Sequence, residues 1–314
     1  MRPTFAIIFF TVVSGCGFGL LFFVGMFGCI DPVRLPRMVE LLGLGIGMAL
    51  AAAGLLSSLL HLGQPQRAWR ALSQWRSSWL SREGVASLST FVPALALGWL
   101  VWRDETGAAC RVGSAIVAIM SVVTVLCTAR IYSSLKTIRA WHNGWVLPGY
   151  LLFGALSGAC VLWCIDALFG DAVAALPWLI VVLAIASAAI DLAYWRFVET
   201  YVGASTPESA TGLGRFGKVR SFEAPHTEAN YLTHEMGFVL ARKHAARLRV
   251  ISLFLFAMVP MIATLIGMLF ARATPIASAV SSVSVIAGLF VERWLFFAQA
   301  KHVVMLFYAT TDRA

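Results

Sequence analysis

The chain has 314 residues, 60% of them apolar and only 12% charged, with a net charge of +9 and a mean hydropathy of +0.82. Soluble domains carry about 25% charged residues, so this composition excludes a soluble globular protein and indicates an integral membrane protein. The positive balance is therefore a sign of orientation, to be read loop by loop, and not a nucleic-acid footprint.

A helix that crosses a bilayer needs about 20 predominantly apolar residues. The first such run covers about 5–29. It is too long for a signal-peptide core and lacks a convincing cleavage site, so it is expected to remain as a span, with no twin-Arg or Sec leader. After "DPVRLP" comes a second run, 39–60. Both carry small residues four apart (Gly15 and Gly19, Gly43 and Gly47), a spacing that allows close helix approach. The polar stretch 61–84 follows, then spans at 85–102, 112–131, 147–169 and 174–194. A long loop, 195–248, precedes the last two, 249–270 and 276–297. The pattern predicts an all-α integral membrane protein, a bundle of eight transmembrane helices forming one membrane domain over 1–314.

Alternating spans put the N-terminus, 61–84, 130–146, 195–248 and the C-terminal end on one side, with 18 of the 24 Lys and Arg residues. The other side holds five, and Arg249 sits at a boundary. Without the long loop the balance is still 11 to five. Because Lys and Arg accumulate in cytoplasmic loops, both termini and the 61–84 face are expected in the cytoplasm. Connections on the other side are short. The 195–248 segment is too small for a large catalytic domain but long enough for a docking loop.

The stretch "LLHLGQPQRAWRALSQWRSSWLSREG", Leu59–Gly84, concentrates the chemistry. His61 ends the second apolar run, where Gly63 and Pro65 stop a helix, and Glu83 opens the third. Helices joined by a short loop are neighbours, so these side chains are expected to face each other at the boundary. An imidazole and a carboxyl there suit hydrogen bonding to a quinone carbonyl and transfer of its protons. From spacing alone, an interfacial cap and a favourable charge at a helix N-terminus fit them better. Trp69, Leu72, Trp75 and Trp79 recur at helical intervals beside Arg67 and Arg70, the pattern of a short interfacial helix or of an ordinary aromatic belt. Such a helix would roof a pocket.

Other ionisable residues lie within or beside spans. Asp191, Glu292 and Arg293 are near the same face, close enough to an end to snorkel or pair, and Asp166 is near the opposite one. The six cysteines (Cys16, Cys29, Cys110, Cys127, Cys160 and Cys164) lie in or beside apolar runs without a C-x-x-C, so packing is expected rather than a disulfide framework or a metal cage. "GLGRFG" lacks a βαβ context, and "HEMGF" lacks the second His of a zinc helix. Apart from His61, every His falls in a loop or beyond the last span, which argues against haem.

"SSLLHLGQPQRAWRAL…SWLSREG" resembles the membrane anchor of the DMSO reductase family of molybdoenzymes, in which "HLG-x-P-x-R-A" follows the second span and "LS-x-E" precedes the third. "FEAPHTEANYLTHEMGF" and "ERWLFFAQAKHV" are similar to the same group, and the resemblance covers essentially the whole chain. It implies a complex of a molybdopterin catalytic subunit, a four-cluster, ferredoxin-like iron–sulfur subunit and a haem-free anchor that reacts with ubiquinone or menaquinone. The family's quinol-site His and Glu correspond to His61 and Glu83, and its basic position to Arg67. Trp69, Arg70, Trp75 and Trp79 would lie at the pocket or interface. The DMSO reductase anchor carries its partners on the periplasmic side, whereas the basic count here turns that face to the cytoplasm. In this the sequence resembles the anchor of membrane-bound sulfite dehydrogenase in the bacterial inner membrane, which implies sulfite oxidation to sulfate. A quinol-oxidising anchor of a DMSO or N-oxide reductase, a passive anchor and, in another class, a polytopic transporter are the alternatives. No internal repeat supports the last.

Overall fold

Every long apolar run becomes an α-helix, because only intrahelical hydrogen bonds satisfy a backbone surrounded by lipid. The computed structural model describes residues 4–30, 35–59, 64–170, 173–200, 206–219, 222 and 240–306. In chain order these form α1 (Phe5–Ile30), α2 (Arg37–Leu59), a 3-10 helix (Pro65–Gln74), α3 (Trp79–Trp102), α4 (Ala108–Ser133), α5 (Val146–Phe169) and α6 (Ala175–Thr200). A short α7 (Pro207–Thr211) follows, then α8 (Leu240–Leu253), a π-helical turn (Phe254–Met258), α9 (Val259–Leu269) and α10 (Thr274–Ala298). The turn joins α8 to α9 as one crossing, so among the described residues eight helical segments are long and apolar enough to span a membrane. The all-α, eight-span architecture expected from hydropathy is the one found, and the protein is a multi-pass membrane protein.

Several helices overrun their apolar cores. The third starts at Trp79, not at residue 85, because Ser78 caps it by accepting the backbone N–H of Ser81. Arg82, which looks like a break, turns its guanidinium back to the carbonyls of Trp75 and Arg76. The sixth helix continues to Thr200, and α8 begins at Leu240. The connection read as 195–248 is correspondingly shorter, and Arg196 and Arg247 are helical.

α1 is the pillar of the bundle. It is buried over most of its length and packs on α2, α4, α5 and α10. Glycine makes this possible. A Cβ on Gly19 would lie 1.9 Å from the Gly154 carbonyl oxygen, and one on Gly158 would lie 2.2 Å from the Gly19 carbonyl carbon. On the other flank a Cβ on Gly17 would meet the Ala51 amide at 2.4 Å. Backbone is thus in contact with backbone, and a side chain here has nowhere to relax. Gly158→Val is expected to cost at least about 1–3 kcal/mol through overpacking, seen as a lower thermal midpoint of the detergent-solubilised protein. Gly45→Ala, with nothing within 4 Å of the added methyl, is expected to leave the midpoint unchanged.

Pro260 explains the π turn. It has no N–H, and its ring would collide with the carbonyl of the preceding turn. The Val259 N–H is drawn to Phe254, one residue further back than in an α-helix, which strips Leu255 of its usual donor. The Ser284 hydroxyl of α10 donates to the Leu255 carbonyl at 2.7 Å instead. Ser252 donates to the Gly288 carbonyl at 3.0 Å, fastening α8 to the same helix. Ser284→Ala leaves the Leu255 carbonyl unsatisfied among the described residues and is expected to destabilise the fold by about 1 kcal/mol, measurable by the same melt.

Candidate functional site

The segment between α2 and α3 is tied down at its far end. The 3-10 helix Pro65–Gln74 begins with proline, whose missing N–H costs nothing in a first turn, and its Leu72 lies against Gly84 of α3. The Ser81 hydroxyl donates to the Ala71 carbonyl, and the two Arg82 bonds close the turn between the helices. The short helix expected from the Trp spacing therefore exists, in 3-10 form, as a strap across the start of α3.

α3 carries two faces. Leu88, Val92, Leu95 and Trp99 are exposed on the outer one, and Glu83, Ser87, Thr90, Ala94, Leu97 and Val101 form a buried stripe at helical spacing. Glu83 heads that stripe and is only 3% exposed. It receives a hydrogen bond from the Thr128 hydroxyl of α4 at Oε1, the one bond to its carboxylate among the described residues. Thr128 also donates to the Thr124 carbonyl (3.1 Å), and the Thr124 hydroxyl lies 3.2 Å from that of Thr90. A ladder of threonines thus fixes α3 on α4 with the carboxyl at its top. Burying a carboxyl in lipid is costly and marks functional positions by default.

The other expected residues are distributed around this point. His61 falls at 60–63, outside the described residues. Arg67 is exposed on the strap and makes no ion pair with Glu83 among the described residues. Trp69 and Trp75 are exposed, with Arg70 and Arg76 each stacked 5.5 Å from a ring centroid. Trp79 is half-buried between Arg82 (4.2 Å) and Arg130 (5.8 Å). Rings and guanidinium groups therefore make a cationic rim outside the buried carboxyl.

A second charged group lies deeper at the same end of the bundle, on α6 and α10. Glu292 and Arg293 pair with each other, and with Asp191 they are 1%, 5% and 2% exposed. None snorkels to water, contrary to one of the two options left by the sequence, because aromatic rings close over them. Arg293 stacks on Tyr150 (4.3 Å), Phe296 (4.7 Å) and Phe153 (5.1 Å). On the opposite face Asp166 accepts the Val173 N–H at 2.6 Å, closing the turn from α5 to α6. The six cysteines are all free thiols, and Cys160 accepts a hydrogen bond from Ser281 at 3.3 Å.

Two narrow cavities touch these groups. One, about 20 Å³, lies among α1, α4, α5 and α10 and is bordered by Thr128, Tyr150, Ser157 and Arg293. The other, about 10 Å³, is bordered by Asp191, Tyr194, Glu292 and Arg293. The first has room for about one water and the second for one at most, and neither admits a quinone ring. Thr128 was missed from the sequence. Its only signal is the Thr124/Thr128 pair one turn apart, which is commonplace in membrane helices.

The sequence profile of a family described as "DMSO reductase anchor subunit (DmsC)" matches residues 1–299. The C subunit of sulfite dehydrogenase from Allochromatium vinosum is 30% identical, over 98% of this sequence and 99% of its own length. The C component of anaerobic dimethyl sulfoxide reductase from Escherichia coli is 31% identical over 48% of this sequence and 53% of its own length.

Proposed function

The protein belongs to the DMSO reductase anchor subunit family, and from that premise we propose that it is the quinone-reactive anchor of a molybdopterin and iron–sulfur oxidoreductase. It holds an iron–sulfur subunit and a molybdopterin subunit at the inner membrane of a bacterium, on the cytoplasmic face. Electrons pass between the nearest iron–sulfur cluster of that partner and quinone, with no haem in the anchor. The observation that carries this reading is the buried Glu83 carboxyl, held by Thr128 one turn inside α3, beside the point where the Ser81 hydroxyl ties down the strap. In the sequence His61 follows Leu59, the last described residue of α2, by two positions.

Glu83 and His61 would orient the quinone oxygens and exchange protons with them, the acid remaining competent because water is excluded. Arg67 and Arg70 belong to a cationic rim suited to an acidic partner surface. The full-length likeness to a sulfite dehydrogenase subunit and the basic bias of this face favour sulfite as the electron source. Sulfite, water and quinone would give sulfate and quinol. The likeness to a dimethyl sulfoxide reductase component over about half the sequence supports a second reading, in which quinol is oxidised and a sulfoxide or N-oxide reduced.

Photolabelling the purified complex with an azido-quinone tests the site. The expected label lies on the α2–α3 segment and is competed by excess quinone. A label confined to another span or another subunit overturns the assignment. Quinone reduction driven by sulfite, compared with quinol oxidation driven by dimethyl sulfoxide, separates the two directions.

A further inference from the structure

The strap is tied to the start of α3 beside Glu83, and Arg82 and Arg130 flank Trp79 there, a cationic entrance that disfavours protons along the shortest route. Laterally, polar groups continue under the surface of the bundle. Glu83 lies within electrostatic reach of Tyr132 and Tyr150, and Tyr150 within reach of Glu292 and Arg293. A water-sized cavity is bordered by Thr128, which holds the Glu83 carboxyl, and by Tyr150 and Arg293. The second cavity takes over at Arg293 and ends on Asp191. Beyond it, Arg249 is within electrostatic reach of Asp191 and pairs with Glu199, whose side chain is 62% exposed.

Along this line the described structure leaves polar atoms without partners. Nη1 of Arg293 and Oδ2 of Asp191 are buried and make no hydrogen bond among the described residues. Three ionisable side chains are held inside a lipid-embedded bundle, although an apolar trio of the same volume would pack there with less cost. Both cavities touch these groups, and their volumes suit water rather than an organic ligand. A structural ion pair accounts for Glu292 and Arg293 but not for Asp191.

We propose that Asp191, Glu292 and the waters of these two cavities form a proton relay between the rim at Glu199 and Glu83, with Arg293 holding the relay in place. The proposal rests on the quinone reading of Glu83. Reduction of a quinone takes two electrons, supplied by the iron–sulfur partner, and two protons, one on each oxygen. A proton leaving the Glu83 carboxyl for a quinone oxygen is replaced through Thr128, Tyr150 and the cavity water by one that Glu292, a carboxylate at rest, holds only in transit. Glu292 is refilled in turn from Asp191 and the rim. For quinol oxidation the same steps run backwards. No covalent bond other than those to hydrogen changes in the relay.

The test uses the whole complex in liposomes, with Asp191→Asn, Glu292→Gln and Glu83→Gln compared for quinone-linked and dye-linked turnover in H2O and D2O. The relay predicts that Asp191→Asn and Glu292→Gln lower quinone-linked turnover at least tenfold and enlarge the solvent isotope effect. Dye-linked turnover stays at the wild-type level, and a small membrane-permeant weak acid partly restores the quinone rate. An assembled Asp191→Asn complex with wild-type turnover and an unchanged isotope effect overturns the relay. If Glu292→Gln does not assemble, Asp191→Asn decides alone, and failure of both to assemble overturns the relay in favour of a structural role. Loss of quinone turnover in Glu83→Gln alone removes the relay and leaves the quinone site standing. Wild-type turnover in Glu83→Gln removes the site itself.

Discussion

Glu83→Gln is expected to lower quinone-linked turnover by at least about 100-fold, the range of a lost general acid–base group, with electron transfer to a soluble dye retained. Glutamine keeps the volume of the side chain, and its amide oxygen still accepts the Thr128 hydroxyl. The threonine ladder to Thr124 and Thr90 is therefore undisturbed. What the amide lacks is a proton that it can give up and regain. Thr128→Val is expected to fall between wild type and Glu83→Gln, because the carboxyl remains but loses the bond that aims it. Thr128→Ser, which restores the hydroxyl, is expected to recover most of the rate. That rescue separates a positioning role from loss of packing. Equal loss of dye-linked turnover in Glu83→Gln would mean failed assembly and leave no case for proton transfer.

Arg293→Met is expected to be the most damaging single substitution for stability. It leaves the Glu292 carboxylate, 1% exposed, without its cation, and breaking a buried pair in this way costs about 3–5 kcal/mol. The stacked faces of Tyr150, Phe296 and Phe153 lose their partner at the same time. The double variant Glu292→Leu with Arg293→Met is expected to recover most of the loss, since an apolar pair avoids desolvation altogether. The measurement is the amount of folded protein in membranes and its thermal midpoint in detergent. A double variant no better than Arg293→Met would show that ring stacking, not the ion pair, supports this end of the bundle.

Hydropathy makes the eight crossings legible because lipid leaves a backbone few alternatives to helix. Their ends are less so. The onset at Trp79 depends on the Ser78 cap and on Arg82 folding back, neither of which an apolar count registers. The residue types in the Leu59–Gly84 stretch pointed to Glu83, and its place on the buried stripe of α3 could have been read from 83, 87, 90, 94, 97 and 101. Thr128 could not, since nothing in the order of residues says which face of α4 meets α3. Proximity to a helix end gave Asp191, Glu292 and Arg293 a choice between reaching water and pairing. Only packing shows that the rings of Tyr150 and Phe296 shut them in.

The glycine seam of α1 bears on the order in which the molecule is assembled. α1 leaves the ribosome before the other seven crossings, yet the grooves that receive it belong partly to α5 and α10, more than a hundred residues later. Until α5 arrives, the notch at Gly15 and Gly19 faces lipid, whose acyl tails fill it poorly. A nascent polypeptide stopped after the fourth crossing would carry that vacant notch as a latent adhesive surface, open to any other small-residue helix in the bilayer. Late arrival of a tight-fitting partner makes completion of the fifth crossing the step at which the fold commits.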